Sequence, residues 1–299
     1  MASLADHLLL NIRLFIHKLR IALWLLLPSK TSIDFCGESF LSLSARWHGE
    51  SDPLITYMNL IGVLRNCSFS GPMLEIGGGY STILLNHYLH SEITTLTSID
   101  AYPQKYLRIL NGRAASRSFL ATINSIQTLS VDLYQAKSGL SALLESLSLF
   151  TDDDILPALS QYTSDISHAQ QILSMLRSNQ LYAYILSHDS VSIELPFYQK
   201  SKGANSFVSS NVLSNHKESP SYNAIFFDSG EFSGAAEWTY LSDLIPIGGY
   251  ALLHDIYYPK SIKNFLVATF IHLSSDWTIL WKDSFTAQGG LVAKRVSRK

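Results

Sequence analysis

Hydrophobic positions along this chain fall into short runs that alternate with stretches of helical spacing. The short runs are rich in apolar or β-branched residues and lie beside glycine, proline or polar turns, which predicts buried strands. They cover residues 73–76, 93–99, 224–227, 250–253, 277–281 and 290–294. Apolar residues at helical spacing predict helices, at residues 81–89, 234–244 and 262–273. Strands that alternate with helices predict an α/β fold: a Rossmann-like, doubly wound, mainly parallel sheet with helices on both faces and an antiparallel C-terminal strand.

The region between residues 104 and 220 is longer than a doubly wound core requires. Its helical patterns alternate with Ser-rich stretches, so we expect a mostly helical insertion that either covers the substrate as a lid or adds helices to the core. Within it, residues 181–186 are expected to form a strand that returns to the sheet. The chain is therefore divided into a helical N-terminal lead-in at residues 1–70 and a single domain at residues 71–299 that contains the insertion.

The N-terminal lead-in begins with an apolar and basic segment at residues 7–27. Arg13, Lys18 and Arg20 stand ahead of an apolar run that is too short to cross a bilayer, because a spanning helix needs about 20 apolar residues. Three interpretations stay open: a helix that packs on the domain, which we prefer, a cationic amphipathic helix on a membrane surface, and an uncleaved targeting sequence. We expect a cytoplasmic protein, with peripheral membrane contact through residues 7–27 as the alternative.

Composition and charge narrow the class of partner. The 299 residues are 47% hydrophobic, which is ample for a core, and 22 basic against 24 acidic residues give a net charge of -2. This balance gives no reason to expect nucleic acid and favours a small-molecule acceptor, and it predicts no particular oligomeric state. The two cysteines, Cys36 and Cys67, form neither a zinc-binding pattern nor a disulfide framework.

A glycine-rich turn follows the first predicted strand. Glu75 lies within that strand, and Gly77, Gly78 and Gly79 lead into the next helix. Glycines at the carboxyl end of a strand let a ligand approach the backbone, and the helix that follows presents free N–H groups. The turn lacks a Gly-Lys-Ser/Thr ending, and Thr82 stands where a dinucleotide fingerprint has its third glycine. It therefore favours a nucleotide-like ligand without a pyrophosphate, and a purely structural turn is the alternative.

The segment Glu75-Ile76-Gly77-Gly78-Gly79 has an acid two residues before Gly-x-Gly. It resembles motif I of the class I S-adenosylmethionine-dependent methyltransferases. The resemblance implies that Glu75 helps indirectly to hold the methionine end of S-adenosyl-L-methionine, and that Gly77 and Gly79, with Gly78 between them, form the floor of its site. Asp100 follows the second strand and matches the acid that accepts hydrogen bonds from both ribose hydroxyls, which suits a carboxylate. A helix cap is the alternative role for Asp100.

A further cofactor contact, beside the adenine, is implied at the end of the third strand. If residues 181–186 are that strand, Asp189 is the preferred residue, and Asp132 is its competitor. Asp228, at the end of the fourth strand, is also counted as a cofactor contact.

The ends of the fourth and fifth strands carry Asp228 and the pair His254-Asp255. With Gly248-Gly249 before the fifth strand, this region is similar to small-molecule O-methyltransferases that act on sugars and macrolides. In that group, paired acids hold a divalent cation that binds and acidifies the acceptor hydroxyl. The resemblance therefore implies that Asp228, His254 and Asp255 hold Mg²⁺ or another divalent cation.

The chain departs from that metal-binding pattern after Asp228. Ser229, Gly230 and Glu231 stand where the group has a second acid or a histidine. A metal-free site stays equally open, in which His254 is the general base and Asp228 or Asp255 orients it. A purely structural His254 is the remaining alternative.

These features together predict an S-adenosylmethionine-dependent methyltransferase that methylates a hydroxyl oxygen of a sugar or secondary metabolite. One alternative is a non-catalytic or membrane-associated module that retains the methyltransferase fold, because fold does not determine function. Another is a nicotinamide-dependent oxidoreductase, which rests on the glycine turn alone.

Overall fold

The computed structural model describes residues 53–79, 81–82, 84–85, 89, 92–100, 123–127, 133–200, 221–283, 286 and 288–298. Its main helices are α1 Pro53–Asn66, α2 Leu133–Ser148, α3 Asp152–Ser160, α4 Ile166–Arg177, α5 Leu181–Ser187, α6 Asp189–Lys200, α7 Gly234–Leu241 and α8 Phe265–Leu273. Its strands are β1 Gly71–Ile76, β2 Ile93–Asp100, β3 Ile123–Gln127, β4 Ala224–Phe227, β5 Tyr250–His254, β6 Trp277–Lys282 and β7 Gly290–Arg295. A 3-10 turn, Ser242–Leu244, extends α7.

The strands form one sheet in the order β3-β2-β1-β4-β5-β7-β6. The first five strands in this order are parallel to one another, and β7 runs antiparallel to both β5 and β6. Strand order reverses between β1 and β4, which is the switch point of a doubly wound sheet. The predicted α/β fold with an antiparallel C-terminal strand is confirmed.

Helices cover both faces of the sheet because successive side chains of each buried strand point to opposite sides. On β1, Met73 belongs to a core shared with α1, whereas Leu74 and Ile76 belong to a larger core shared with α2, α7 and α8. Gly139 of α2 packs tightly on α7, since a Cβ there would lie 2.5 Å from the Cα of Ala236. Both layers hold the strand ends in place.

The expected strand at residues 181–186 is wrong. These residues belong to α5, in which Leu181 and Ile185 are buried at helical spacing. A six-residue apolar run fits a buried strand or one face of a short helix equally well, so periodicity alone could not separate the two. The third strand is instead β3, which lies within the region expected as an insertion and pairs with β2. The helices α2, α3, α4 and α5 contribute buried side chains to the larger core. The division into a lead-in and one domain stays a prediction.

Residues 7–27, the candidate membrane-surface segment, lie outside the described residues, as does Asp132. Among the helices that the structure describes, none is long and apolar enough to cross a membrane.

Candidate functional site

Four strands end side by side at one edge of the sheet, across the switch point. Their last core positions pair directly, in the order Ile99, Ile76, Phe227 and Leu253. The residues that follow these positions are Asp100, Gly77, Asp228 and His254. Ligands of doubly wound sheets bind outside the carboxyl ends of the strands at this point. The structure therefore brings predicted site residues from four strands to one edge.

Glu75 anchors the glycine turn from inside the sheet. Its side chain is fully buried, and its carboxylate accepts hydrogen bonds from Ser81 Oγ at 2.6 Å, Thr82 Oγ1 at 2.5 Å and Ser98 Oγ at 2.8 Å. Burial raises the pKa of Glu75 to about 7, although the three hydroxyl donors oppose that rise. The contacts tie β1 to β2 and to the start of the next helix, which fits an indirect role in ligand binding.

The glycine turn is closed on one side and open on the other. Gly77 has a φ of +88°, and a Cβ there would lie 2.0 Å from the backbone oxygen of Asp228, so a side chain cannot be accommodated. A Cβ on Gly79 would meet nothing within 4 Å among the described atoms. The backbone of Gly79 is fixed by a 2.9 Å hydrogen bond from its N–H to Thr82 Oγ1. Gly78, between them, is partly exposed.

Asp100 and Asp189, both predicted cofactor contacts, have different positions in the fold. Asp100 is the last residue of β2, partly buried, and pairs in register with Gln127 at the end of β3. Asp189 begins α6 and does not follow a strand. The reason for choosing Asp189 as the adenine contact therefore fails together with the expected strand.

A buried cluster at the ends of β4 and β5 joins Asp228, His254 and Asp255 to Lys263. Lys263 Nζ lies 2.7 Å from Asp228 Oδ1 and 3.1 Å from Asp255 Oδ2. His254 Nδ1 lies 3.0 Å from the same Asp228 oxygen and 3.4 Å from the same Asp255 oxygen. Two positive or donor groups thus alternate with two carboxylates in a closed ring. The predicted trio does come together, and the lysine was not predicted.

A fifth residue, Tyr57, reaches this cluster from α1. Its hydroxyl donates to Asp228 Oδ2 at 2.8 Å, and its ring lies 4.7 Å from the His254 ring, centroid to centroid. Burial and the neighbouring Asp228 raise the pKa of Tyr57 well above its usual value, so the phenol stays a hydrogen-bond donor. The end of the expected lead-in therefore contributes directly to the site.

Lys263 is charged because of its carboxylate partners. Burial on its own would lower the pKa of Lys263, but Asp228 and Asp255 raise it above the ordinary lysine value. Burial likewise favours a neutral Asp228, yet Lys263 and His254 hold the pKa of Asp228 well below its usual range. The cluster is a buried ion-pair network in which one ammonium is shared by two carboxylates.

The loop before α8 holds Lys263 in place. Asn264 Nδ2 donates to the backbone oxygens of His254 at 2.7 Å and Phe227 at 3.2 Å, which links the ends of β5 and β4. Asp255 has a φ of 60°, a left-handed backbone that is uncommon outside glycine and costs of the order of 1–2 kcal/mol. The helix expected from residue 262 begins at Phe265. Lys263 and Asn264 precede it and bond to the strand ends.

Glu231, the acid of the Ser229-Gly230-Glu231 segment, stands beside this loop. Its carboxylate accepts hydrogen bonds from Ser261 Oγ at 2.9 Å and from the Ile262 N–H at 2.7 Å. Glu194 of α6 in turn accepts from the N–H of Glu231 at 2.8 Å. Glu231 therefore supports the segment that carries Lys263 and is not part of the four-membered ring.

Two buried polar atoms of the cluster stand without partners. His254 Nε2 and Asp255 Oδ1 have no hydrogen bond among the residues that the structure describes. Such groups are rare inside proteins and are explained by strain, by a catalytic role or by a bound water or ion. The other polar atom of each side chain, His254 Nδ1 or Asp255 Oδ2, is engaged within the four-membered ring.

A lysine ammonium already lies within the predicted divalent-cation site. Asp228, His254 and Asp255 offer ligand atoms within 4.8 Å of one another, the one such group among the described residues. However, Asp228 Oδ1 and Asp255 Oδ2 already accept hydrogen bonds from the Lys263 ammonium. A metal bound to these two oxygens would have to displace the ammonium that donates to both of them.

Two features of the site escaped sequence reasoning for different reasons. Lys263 is the one charged residue between Lys260 and Asp276 and interrupts an apolar stretch, which was a usable signal. Tyr57 stands among apolar neighbours of α1 and gave none. Trp238 of α7 is a core residue, since it is 3% exposed and packs on Phe227 and Trp277.

No protein-family model and no curated protein matches this sequence. Among solved structures, the chain is similar to a proposed O-methyltransferase from Klebsiella pneumoniae, with a TM-score of 0.42 and 12% identity over 84% of this chain and 83% of that one. It is also similar to a proposed caffeoyl-CoA O-methyltransferase from Staphylococcus aureus, with a TM-score of 0.38 and 12% identity over 89% of this chain and 98% of that one. Likeness at this level does not bear on the function of the chain.

Proposed function

We propose that this chain is an S-adenosylmethionine-dependent methyltransferase that methylates a hydroxyl oxygen of a small molecule, such as a sugar or secondary metabolite. The cofactor half of the proposal rests on the edge formed by β1 and β2. The turn is open at Gly79 and closed at Gly77, and Asp100 ends the neighbouring strand one residue past the pairing of Ile99 with Ile76. Such a cradle fits a nucleoside without a pyrophosphate, with Asp100 accepting hydrogen bonds from the ribose hydroxyls.

When bound, the cofactor supplies a methyl group that its sulfonium already activates. The protein therefore has two tasks, to align the acceptor oxygen with that methyl group and to remove the proton of the acceptor. The first task falls to the strand ends, and the second needs a base with a free lone pair at the same edge.

His254 is the base in this proposal, and its ring geometry is the observation that carries it. Nδ1 faces carboxylate oxygens of Asp228 and Asp255, which can only accept, so Nδ1 bears a proton. The lone pair of the neutral ring is then on Nε2, the atom that has no partner among the described residues. This is the arrangement in which carboxylates fix the tautomer of a catalytic histidine.

The proposed step conserves atoms and charge. The acceptor oxygen forms a bond to the methyl carbon as the carbon–sulfur bond breaks, and the hydroxyl proton moves to His254 Nε2. The positive charge that the cofactor loses reappears on the imidazolium, where Asp228 and Asp255 stabilise it. Asp255 Oδ1, the second unpartnered atom, can accept a hydrogen bond from a neighbouring hydroxyl, which favours an acceptor with more than one hydroxyl group.

The test is transfer of an isotopically labelled methyl group to a panel of hydroxylated sugars and polyketide-like metabolites. We expect His254→Gln to lower the rate by at least about 100-fold, the usual contribution of a general base, while cofactor binding is retained. His168→Gln, at a partly exposed histidine of α4, is the matched control and should leave the rate unchanged. Equal rates for His254→Gln and the unaltered chain would rule out the proposed base.

A further inference from the structure

In the four-membered ring of Asp228, His254, Asp255 and Lys263, the lysine ammonium binds both aspartates. Lys263 is 5% exposed, and its ammonium binds one oxygen of each aspartate at 2.7 Å and 3.1 Å. These are the two oxygens that also face His254 Nδ1. One lysine thus does what a metal does at such a site, because it holds two carboxylates in a fixed relation to a third group.

The donor set argues further against a metal in the unaltered chain. His254 Nδ1 lies between carboxylate oxygens and is protonated, so it has no lone pair for a metal. An ammonium beside the two carboxylates also repels a dication at short range, an effect that is strong where water is excluded. The three atoms that these candidate ligands turn toward one another, Asp228 Oδ1, Asp255 Oδ2 and His254 Nδ1, are already engaged with one another or with Lys263.

The lysine is held there by its surroundings. The next residue, Asn264, is hydrogen bonded to the ends of both β4 and β5, and the two preceding residues are bonded to Glu231. Lys263 is buried together with its partners. Moving its ammonium away would leave two buried aspartates without the positive charge that both of them bind. Breaking a buried pair in this way is strongly unfavourable.

We infer that the Lys263 ammonium takes the place of a divalent cation between Asp228 and Asp255, so that the site works without a metal. Lys263 is a positioning residue, because it acts on the acceptor through the aspartates and His254. The inference shares its residues with the proposed methyl transfer and rests on that function for its catalytic meaning. Its readout, metal binding, does not depend on methyl transfer.

The experiment is a titration with Mn²⁺ alone, followed by the loss of the free-ion signal in electron paramagnetic resonance. The unaltered chain should bind no stoichiometric Mn²⁺ at this site. Lys263→Met removes the charge but keeps a side chain of similar length, and it should bind one ion per chain, at least about tenfold more tightly than the unaltered chain. Lys260→Met makes the same chemical change at an exposed residue three positions earlier and should gain nothing.

The double variant Lys263→Met/Asp255→Asn should lose the gained ion, which assigns it to the ring. A lysine with a merely structural role would destabilise the chain on removal without creating a metal site. Circular dichroism confirms folding, and Lys263→Gln serves as the second variant if Lys263→Met does not fold. Folded Lys263 variants that bind no more Mn²⁺ than the unaltered chain would overturn the inference.

Mn²⁺ binding by the unaltered chain tests the inference even if no Lys263 variant folds. One Mn²⁺ bound per chain, and lost in Asp255→Asn, would overturn the inference, whereas absence of stoichiometric binding supports it. Cofactor binding measured on the same preparation separates the two proposals. Bound Mn²⁺ with intact cofactor binding contradicts only the metal-free site, and absent cofactor binding contradicts only the methyltransferase.

Discussion

The ammonium of Lys263 lies 2.7 Å from Asp228 Oδ1, with both side chains almost completely buried. This contact joins the loop before α8 to the end of β4 and places a positive charge beside the candidate base. Asp228 has three donors in all, since its two oxygens accept from Lys263, His254 and Tyr57. Each of the following predictions probes one part of this edge of the sheet.

Tyr57→Phe removes the hydroxyl that donates to Asp228 and keeps the ring that packs on His254. We expect the free energy of unfolding to fall by about 2 kcal/mol, because hydrogen bonds to charged groups contribute about 1.5–3 kcal/mol. Urea unfolding measures this change. Tyr134→Phe, at a tyrosine of α2 that is 75% exposed, should change it by less than about 0.5 kcal/mol. Equal costs for the two variants would show that the Tyr57 contact has no energetic weight.

Two glycines of the same turn should respond differently to alanine. Gly77→Ala forces a Cβ against the Asp228 backbone at a positive φ, and should lower the free energy of unfolding by at least about 2 kcal/mol. Gly79→Ala adds its methyl group to open space and should change stability by less than about 1 kcal/mol.

For Gly79, we expect alanine to affect cofactor binding and not stability. If the cofactor rests on this glycine, Gly79→Ala weakens S-adenosylhomocysteine binding by at least about tenfold in a chain of unchanged stability. Urea unfolding and calorimetry on the same preparation make the comparison. Tight binding by Gly79→Ala would place the cofactor elsewhere.

Glu75 should give the fold a dependence on pH. Its pKa is raised from 4.5 to about 7, so between these values the folded chain retains a proton that the unfolded chain has released. Raising the pH through this range therefore costs stability, by up to about 3 kcal/mol at about 1.4 kcal/mol per pH unit.

Glu75→Gln isolates this contribution, because the difference in unfolding free energy between the two proteins cancels the other titrating groups. The unfolding free energy of the unaltered chain minus that of the variant should fall as the pH rises from about 4.5 to about 7, the range that the raised pKa of Glu75 defines. Denaturant unfolding at a series of pH values measures it. A difference that is flat or rises with pH would show that the Glu75 proton is not held.

Much of this edge could be predicted from sequence because it depends on local patterns. Buried parallel strands are short apolar runs, and their ends are marked by Gly77, Asp100, Asp228 and His254. Once the strand order is doubly wound, the ends of neighbouring strands must meet, so these residues come together without further information. The one misplaced strand, now α5, was a run too short to show which period it followed.

The parts that could not be predicted depend on contacts between distant segments. Tyr57 meets Asp228 across 171 positions, and nothing in α1 indicates how that helix docks on the sheet. Lys263 was visible as a lone charge in an apolar stretch, but its partners follow from the loop geometry that Asn264 fixes. The ammonium beside Asp228 and Asp255 thus became visible only in the structure.

Calorimetric titration with S-adenosylhomocysteine shows whether the proposed cofactor binds beside Asp100 and the glycine turn. The intact chain and Asp153→Ala, which alters an exposed acid of α3, should each bind one molecule per chain. Asp100→Ala should bind at least about tenfold more weakly, because the ribose loses its carboxylate acceptor. Absence of binding by the folded, intact chain, or unchanged binding by Asp100→Ala, would contradict the account.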